Sequence, residues 1–369
     1  MPAYRYLLCD LLTDQLLAQV PLTGVSFDRR ISRTGSLTAT LEASTPNLLR
    51  IGHTLFDYAG RAALWVERDG ALWWGGIPWT VIPTQAERGP VTLSVTAATF
   101  DSYAHHRRLY ADRSYTAVDQ GVIIPDLWRA IQSDSSGDIG MVAEDQPTGV
   151  LRDREYLESD HQWVGELIEN LGDVIDGPEH TVDVYNAGDG TRVKRLRVAQ
   201  TLGSPEVRHV FQRTHGGGRI LEWEKAADAV DGGTAFRAKG NATGDAGNAG
   251  EAAPIPMSDL VERTDLLDAG WPRLDVTEDY SDVTDKDTLD GYAEGLAVTR
   301  GGAIPTSGYT VDVTGTEWNP NRIGNPVRIR LRDDWHETVT DLLVRPVGCT
   351  VTPGEKGQPE KVKLLFGEE

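Results

Sequence analysis

The chain has 369 residues, 39% hydrophobic and 25% charged, which suits a folded protein with two to four cores at about 100–200 residues per domain. Fifty-six acidic against 36 basic side chains give a formal charge of −20, which repels phosphate backbones and counts against stable nucleic-acid binding. No apolar run nears the roughly 18 residues that span a bilayer, and residues 1–15 lack a basic stretch followed by an apolar one, so neither a membrane segment nor a signal peptide is expected.

The first hundred residues read as strands. Val25 and Phe27, then Leu37 and Leu41, alternate with polar or small neighbours, the period of a half-buried strand. Ala63 to Trp74 places two apolar arms around Asp69-Gly70, a pair that supplies the positive φ angles of a tight primed turn, so a β-hairpin is predicted there. Trp79 and Val81, then Val91, Leu93 and Val95, predict a further strand pair that closes a small barrel or sandwich.

At residues 116–133 the period changes to helical through Ile123, Ile124, Leu127, Trp128 and Ile131, with Pro125 tolerable only near the first turn. A second helix is predicted from Ser159, whose Ser-x-x-Gln spacing matches a capping box, through the stripe Trp163, Val164, Leu167, Ile168 and Leu171 to a stop at Gly172. Strands at 180–185 and 194–198 complete a small α/β insert. Strands at 207–211, 219–223 and 234–239 lead into the glycine-rich stretch 240–250, which reads as an exposed loop. A third helix is predicted over 287–299, with Leu289, Tyr292, Ala293 and Leu296 on one face and Asp285 and Asp287 capping its start. Strands at 309–313, 326–331 and 362–366 close the chain. The fold class is therefore mainly β with an α/β insert, divided as 1–112, 113–205, 206–315 and 316–369.

Catalytic signatures do not assemble. His215-Gly-Gly-Gly218 resembles an oxyanion-hole turn, but the Gly-x-Ser-x-Gly elbow that it would serve is absent, and a hairpin is the expected reading. His105-His106 with Asp101 and Asp112 has no metal-ligand spacing, since adjacent histidines on a strand point to opposite faces. The acidic run Asp282, Asp285, Asp287, Asp290 offers Leu289 and Leu296 where a calcium loop needs oxygen ligands. Gly188-Asp-Gly reads as a hairpin turn. Cys9 and Cys349 lie at opposite ends, which excludes a disulfide framework and a CxxC site and fits synthesis in a reducing cytoplasm. No catalytic, cofactor or metal-binding residue is assigned, and an enzyme is not expected.

Two groups remain as interaction candidates. Arg328, Arg330 and Arg332 alternate with Val327, Ile329 and Leu331, so they project from one face of one strand, where they suit an acidic partner, a neighbouring acidic subunit, or merely solvent. Of ten Trp, seven fall inside apolar patterns, leaving Trp271, Trp318 and Trp335 as those able to stack on a sugar. Basic residues divide as 29 Arg and seven Lys, a bias that fits a high-GC, actinobacterial host.

Several phrases together resemble the minor tail proteins, or baseplate hub proteins, of long-tailed phages infecting actinobacteria. They are Tyr6-Leu-Leu-Cys-Asp-Leu, Leu22-Thr-Gly-Val-Ser-Phe, Trp73-Trp-Gly-Gly-Ile-Pro-Trp79, Tyr280-Ser-Asp-Val-Thr-Asp with Thr288-Leu-Asp-Gly-Tyr-Ala293, and Trp318-Asn-Pro-Asn with Gly324-Asn-Pro-Val-Arg-Ile329. The resemblance implies a fold similar to the hub of contractile-tail baseplates, in which two small β-barrel domains per subunit meet around a threefold axis in a pseudo-sixfold ring with peripheral α/β domains. It implies a homotrimer in the virion, made in the host cytoplasm, that joins the distal tail protein ring to the C-terminus of the tape-measure protein and carries fibres or a spike. It also implies a part of the DNA-ejection channel, whose wall the acidity of the chain would keep from holding DNA. Many relatives continue into a peptidoglycan-cutting or fibre-like region; here the expectation is that lysis comes from another protein. The alternative expectation, drawn from the Trp content, is a carbohydrate-binding or receptor-recognition module of the tail tip.

Overall fold

Alternating apolar and polar side chains turn most of this chain into strands that bury one face. In Ser36–Ala43 the residues Leu37, Ala39, Leu41 and Ala43 are buried and Ser36, Thr38 and Glu42 exposed. The computed structural model describes residues 2–241, 255–280, 283–336, 338–355 and 357–366, so most of the glycine-rich stretch expected at 240–250 lies outside the described residues. The fold is mainly β, with 44% strand and 20% helix.

The largest sheet has eleven strands. Their spatial order is Ile220–Asp228, Ile304–Val311, Lys361–Phe366, Pro346–Thr352, Thr23–Arg30, Ser36–Ala43, Val91–Thr99, Ala71–Gln85, Ala62–Arg68, Tyr4–Asp10 and Leu16–Gln19. The predicted hairpin forms its middle: Asp69 (φ 49°) and Gly70 (φ 87°) turn the chain between Ala62–Arg68 and Ala71–Gln85. Trp65 and Trp74 are fully buried, and their indole N–H groups donate to Asp14 Oδ1 and Asp28 O, both at 3.0 Å. Trp79 and Val81 do not start a new strand as expected. The hairpin arm runs on for 15 residues, and the two prolines inside it, Pro78 and Pro83, are accommodated by a register shift between Pro78 and Thr80.

Among the described residues none of the five sheets closes into a barrel, contrary to the two small barrels expected. Closure requires the outermost strands to pair, and here Leu16–Gln19 and Ile220–Asp228 end the order without meeting. One face of this sheet shares a core with a four-stranded sheet. Phe27, Leu37, Trp74 and Leu93 from the former pack in one cluster with Phe211, Ile329 and Leu331 from the latter.

Helix α1, Pro46–Asp57, was not expected. Thr45 caps it by accepting from Leu48 N–H at 3.3 Å, Pro46 fills a first-turn position, and Leu55 is buried. Helix α2, Gln120–Ser133, starts four residues later than expected, because residues 113–119 form a strand whose last residue, Asp119, caps the helix by accepting from Gly121 N–H. Pro125 consequently sits past the first turn, and the Gly121 carbonyl, left without its helical donor, accepts from Gln146 N–H at 3.0 Å instead. Helix α3, Val164–Asp173, buries Val164, Leu167, Ile168 and Leu171 as expected, but the capping box does not form. Ser159 lies in a separate short 3-10 turn, His161 adopts a left-handed conformation (φ 50°), and Gly172 is inside the helix rather than at its stop.

The chain divides into two compact units. The first holds Met1–Glu169, Pro178–Trp223 and Gly308–Phe366. The second is built mainly from Glu224–Ser307, with Asn170–Gly177. In it α4, Thr264–Asp268, accompanies a three-stranded sheet whose central strand, Ala235–Lys239, runs parallel to Asp275–Asp279. Helix α5, Lys286–Thr299, is capped as expected by Asp285, which accepts from Thr288 N–H at 2.8 Å. It buries Leu289, Tyr292 and Ala293 against Ala238 and Val283, with Tyr280 stacked on Tyr292 at 3.9 Å.

Candidate interaction surface

The expected arginine face is carried by the strand Val327–Leu331, third in a four-stranded sheet ordered Gly217–Gly218, His209–Thr214, Val327–Leu331, Thr340–Val344. Val327, Ile329 and Leu331 enter the core while Arg328 and Arg330 face out. Register brings Val210 and Leu343 to either side of Arg328, and Gln212 and Asp341 to either side of Arg330. Arg332 follows the strand and is exposed. Gly217–Gly218 pairs back on Arg213 and Thr214, so the His215 triglycine is a hairpin turn.

A single carboxylate serves two of these guanidinium groups. Arg328 Nε donates to Asp341 Oδ1 at 2.8 Å and Arg330 Nε to Asp341 Oδ2 at 3.1 Å. Burial works against the Asp341 charge, but the two arginine hydrogen bonds outweigh it and hold the carboxyl below its ordinary range. Arg328 and Arg330 share this one anion, and among the described residues Arg332, followed directly by Asp333 and the exposed Asp334, has no ion pair.

Beyond the strand, residues 333–336 form an aromatic knob. Asp333 Oδ1 accepts from the backbone N–H of Trp335 (3.2 Å) and His336 (2.9 Å) and pairs with His336 Nδ1 at 2.8 Å, while Oδ2 accepts from Trp223 Nε1 at 2.6 Å. Although desolvation opposes it, the hydrogen bonds from His336 and Trp223 keep this carboxyl far below the usual carboxylate range. The His336 ring is buried edge-on to Trp223 at 4.8 Å, and Trp335, 6.3 Å from Trp223, is left 75% exposed. Val339, Leu343 and Val210 are exposed as well.

The other two candidate tryptophans are placed differently. Trp318 is fully buried, edge-on to Trp73 at 6.2 Å, and so presents nothing to a ligand. Trp271 is half-buried near Leu266 and Gly302 in the second unit. Asp341 and Asp333, the carboxylates that organise the surface, escaped the sequence reading. Asp341 is found only through strand register, whereas Asp333 to His336 has the spacing of a side-chain-capped turn.

His105 and His106 lie not on a strand, as expected, but in the 3-10 helix Phe100–His106. His106 packs on the Trp79 ring at 4.1 Å, and His105 Nε2 approaches Glu169 Oε1 at 3.5 Å. That hydrogen bond raises the His105 pKa against the effect of burial. Asp101 Oδ1 and His180 Nδ1 are buried without a hydrogen-bond partner among the described residues. Burial pushes the Asp101 carboxyl up to about 6 and the His180 imidazole down to about 4. Among the described residues no group of three or more His, Cys, Asp or Glu is arranged to hold a metal ion. Cys9 and Cys349 are both buried and unbridged, and burial raises their thiols to about 11 and about 12.

No protein-family model and no curated protein matches this sequence. Solved structures do match its fold. The tail protein from Neisseria meningitidis MC58 superposes with a TM-score of 0.56 at 14% identity, over 99% of this chain and 97% of that one. The 43 kDa tail protein of prophage MuSo2 from Shewanella oneidensis gives a TM-score of 0.57 at 11% identity, over 99% and 98%. At such identities the likeness is one of fold.

Proposed function

We propose that this chain is a structural phage-tail subunit, a hub of the tail tip or baseplate with no catalytic role. The observation that carries the reading is the likeness to two tail proteins over at least 97% of each chain, since a match of that extent covers the whole arrangement and not one common motif. In this reading the chain trimerises in the virion of a long-tailed phage of actinobacteria and joins the distal tail ring to the tape-measure protein and to fibres or a spike. Its acidic surface, at a net −20, lines a channel along which DNA slides without adhering.

Light scattering on the purified chain tests it. A mass near three times 40.3 kDa is expected, together with binding to a purified hexameric tail ring. A chain that neither self-associates nor binds such a ring sinks the hub reading. One observation favours a second reading, recognition of a host glycan: Trp335 presents its indole to solvent. A glycan array would show binding that Trp335→Ala abolishes; an array blank for the unaltered chain would dismiss it.

A further inference from the structure

We propose that helix α1 is a self-association face, on which α1 of a second copy of this chain packs antiparallel about a two-fold axis. The inference goes beyond the hub reading and does not rest on it, since a two-fold contact cannot by itself close a ring of three.

The helix carries two apolar stripes. Gly52 and Leu55, with the half-buried Leu48 and Ile51, face the core of the large sheet. Leu49, His53 and Phe56 recur at i, i+4 and i+7 on another side, and all three are exposed, Leu49 at 36% and Phe56 at 49%. That spacing is the seam of helix-on-helix packing. The fold of the chain uses the first stripe and leaves the second open.

Charge selects the occupant. Beside the open stripe stand Arg50 and Asp57, seven residues apart like Leu49 and Phe56, and both exposed. Arg50 donates to Asn47 Oδ1 on its own helix at 3.1 Å, and among the described residues neither Arg50 nor Asp57 has an ion pair. The next cation along the chain, Arg61, lies over the Tyr58 ring at 4.2 Å instead. In a two-fold pair residue i meets residue j of the other copy, and j meets i. With the axis passing near His53, Leu49 of each copy meets Phe56 of the other, and Arg50 of each meets Asp57 of the other. The seam is thus complementary to itself in apolar contact and in charge at one register. A parallel pair in register would leave Arg50 and Asp57 about 10 Å apart along the axis, so the charges also choose the direction.

One helix of 12 residues per copy is a small contact, in the size class of transient interfaces, so the pair is expected to form at high concentration and to dissociate on dilution.

Sedimentation velocity over a concentration series tests it, in low-salt, mildly basic buffer, where imidazole is uncharged. The samples are the full unaltered chain, Asp57→Arg, and the exchange Arg50→Asp/Asp57→Arg, with circular dichroism as a check on folding. Asp57→Arg sets cation against cation at both ends of the seam, while a cation in the last turn favours the helix itself, so the variant keeps its fold. Expected are a concentration-dependent doubling of mass for the unaltered chain, association about tenfold weaker for Asp57→Arg, and recovery in the exchange. The doubling is read on whichever species the hub test finds, monomer or trimer, so the two readings fail separately. No doubling at any concentration overturns the pairing. Doubling that Asp57→Arg leaves intact overturns α1 as the contact, and a loss that the exchange does not recover overturns α1 of a second copy as its occupant.

Discussion

Burial acts on Asp101 and His180 in opposite senses, and the consequence is a pH dependence that conceals itself. The folded Asp101 carboxyl titrates near 6, above its ordinary 3.8, so the native state holds an extra proton between those values and stability falls as pH rises through that window. The folded His180 titrates near 4, below its ordinary 6.5, so there the unfolded state holds the extra proton and stability falls as pH drops. Over pH 4–6 the two slopes oppose each other. Asp101→Asn removes one of them, and the variant is expected to lose about 1.4 kcal/mol more than the unaltered chain for each pH unit of acidification between 6 and 4. Urea midpoints at pH 7, 5.5 and 4 would show it, and parallel curves for variant and parent would refute it. Around this pair, Glu169, Arg33 and His105 set the field at His180, and His105 and Arg29 act on Asp101. The His105–Glu169 pair adds its own term: the raised His105 contributes stability below its unfolded value that is lost as pH rises through the folded one. None of this was legible from His105-His106 as a dipeptide. The helical turn that separates the two rings, and the partner Glu169 some 60 positions on, exist only in the fold.

At the scale of elements, strands were legible because period two is a strong signal, and the Asp69-Gly70 turn because few pairs accept two positive φ angles in succession. Helix α5 and its Asp285 cap were legible for similar reasons. Helix α1 was passed over although Thr45-Pro46 is a good start signal, since it lies inside a run of strands and its apolar stripe is short. The Ser159 capping box failed because a match of four residues says nothing of where the chain must turn. Two tests belong here. Gly76 is paired with Thr99 between the strands Ala71–Gln85 and Val91–Thr99, and a Cβ at this position would lie 2.0 Å from the Ala98 carbonyl oxygen. Gly76→Ala is therefore expected to destabilise the chain by about 3 kcal/mol, read from urea midpoints, since backbone cannot yield as a side chain would; a loss near zero would mean that the strands separate freely. Pro125 denies Gly121 its helical hydrogen bond, and Gln146 N–H supplies the replacement. The Gln146 side chain also donates to Leu196 O and accepts from Val198 N–H, so Gln146→Pro should cost about 1–3 kcal/mol more than Gln146→Ala by leaving that carbonyl unpaired, and equal thermal midpoints for the two variants would show that the contact is dispensable.

Across the whole molecule, charge is the quantity that the sequence states most plainly, and its spatial distribution is what only the structure adds. A net −20 spread over one chain is self-repelling, so salt that screens it should stabilise the fold. Raising sodium chloride from about 20 mM to about 200 mM is expected to raise the thermal midpoint of dilute protein, and a falling midpoint would mean that the ion pairs outweigh the repulsion. Closed barrels were the one architectural expectation that failed. Strand alternation reports which face is buried but is silent on whether the last strand meets the first.

The strand order carries a consequence for how the protein is made. Thr23–Arg30, among the first strands to leave the ribosome, finds one neighbour early in Ser36–Ala43, but its other neighbour is Pro346–Thr352. For more than 300 residues of translation that edge has no partner in the nascent chain. Completing the sheet thus waits for Pro346–Thr352 and has a long loop to close, which makes folding slow and leaves an open edge on which neighbouring nascent chains can pair. A holdase that covers the Thr23–Arg30 edge is expected to raise the yield of folded protein.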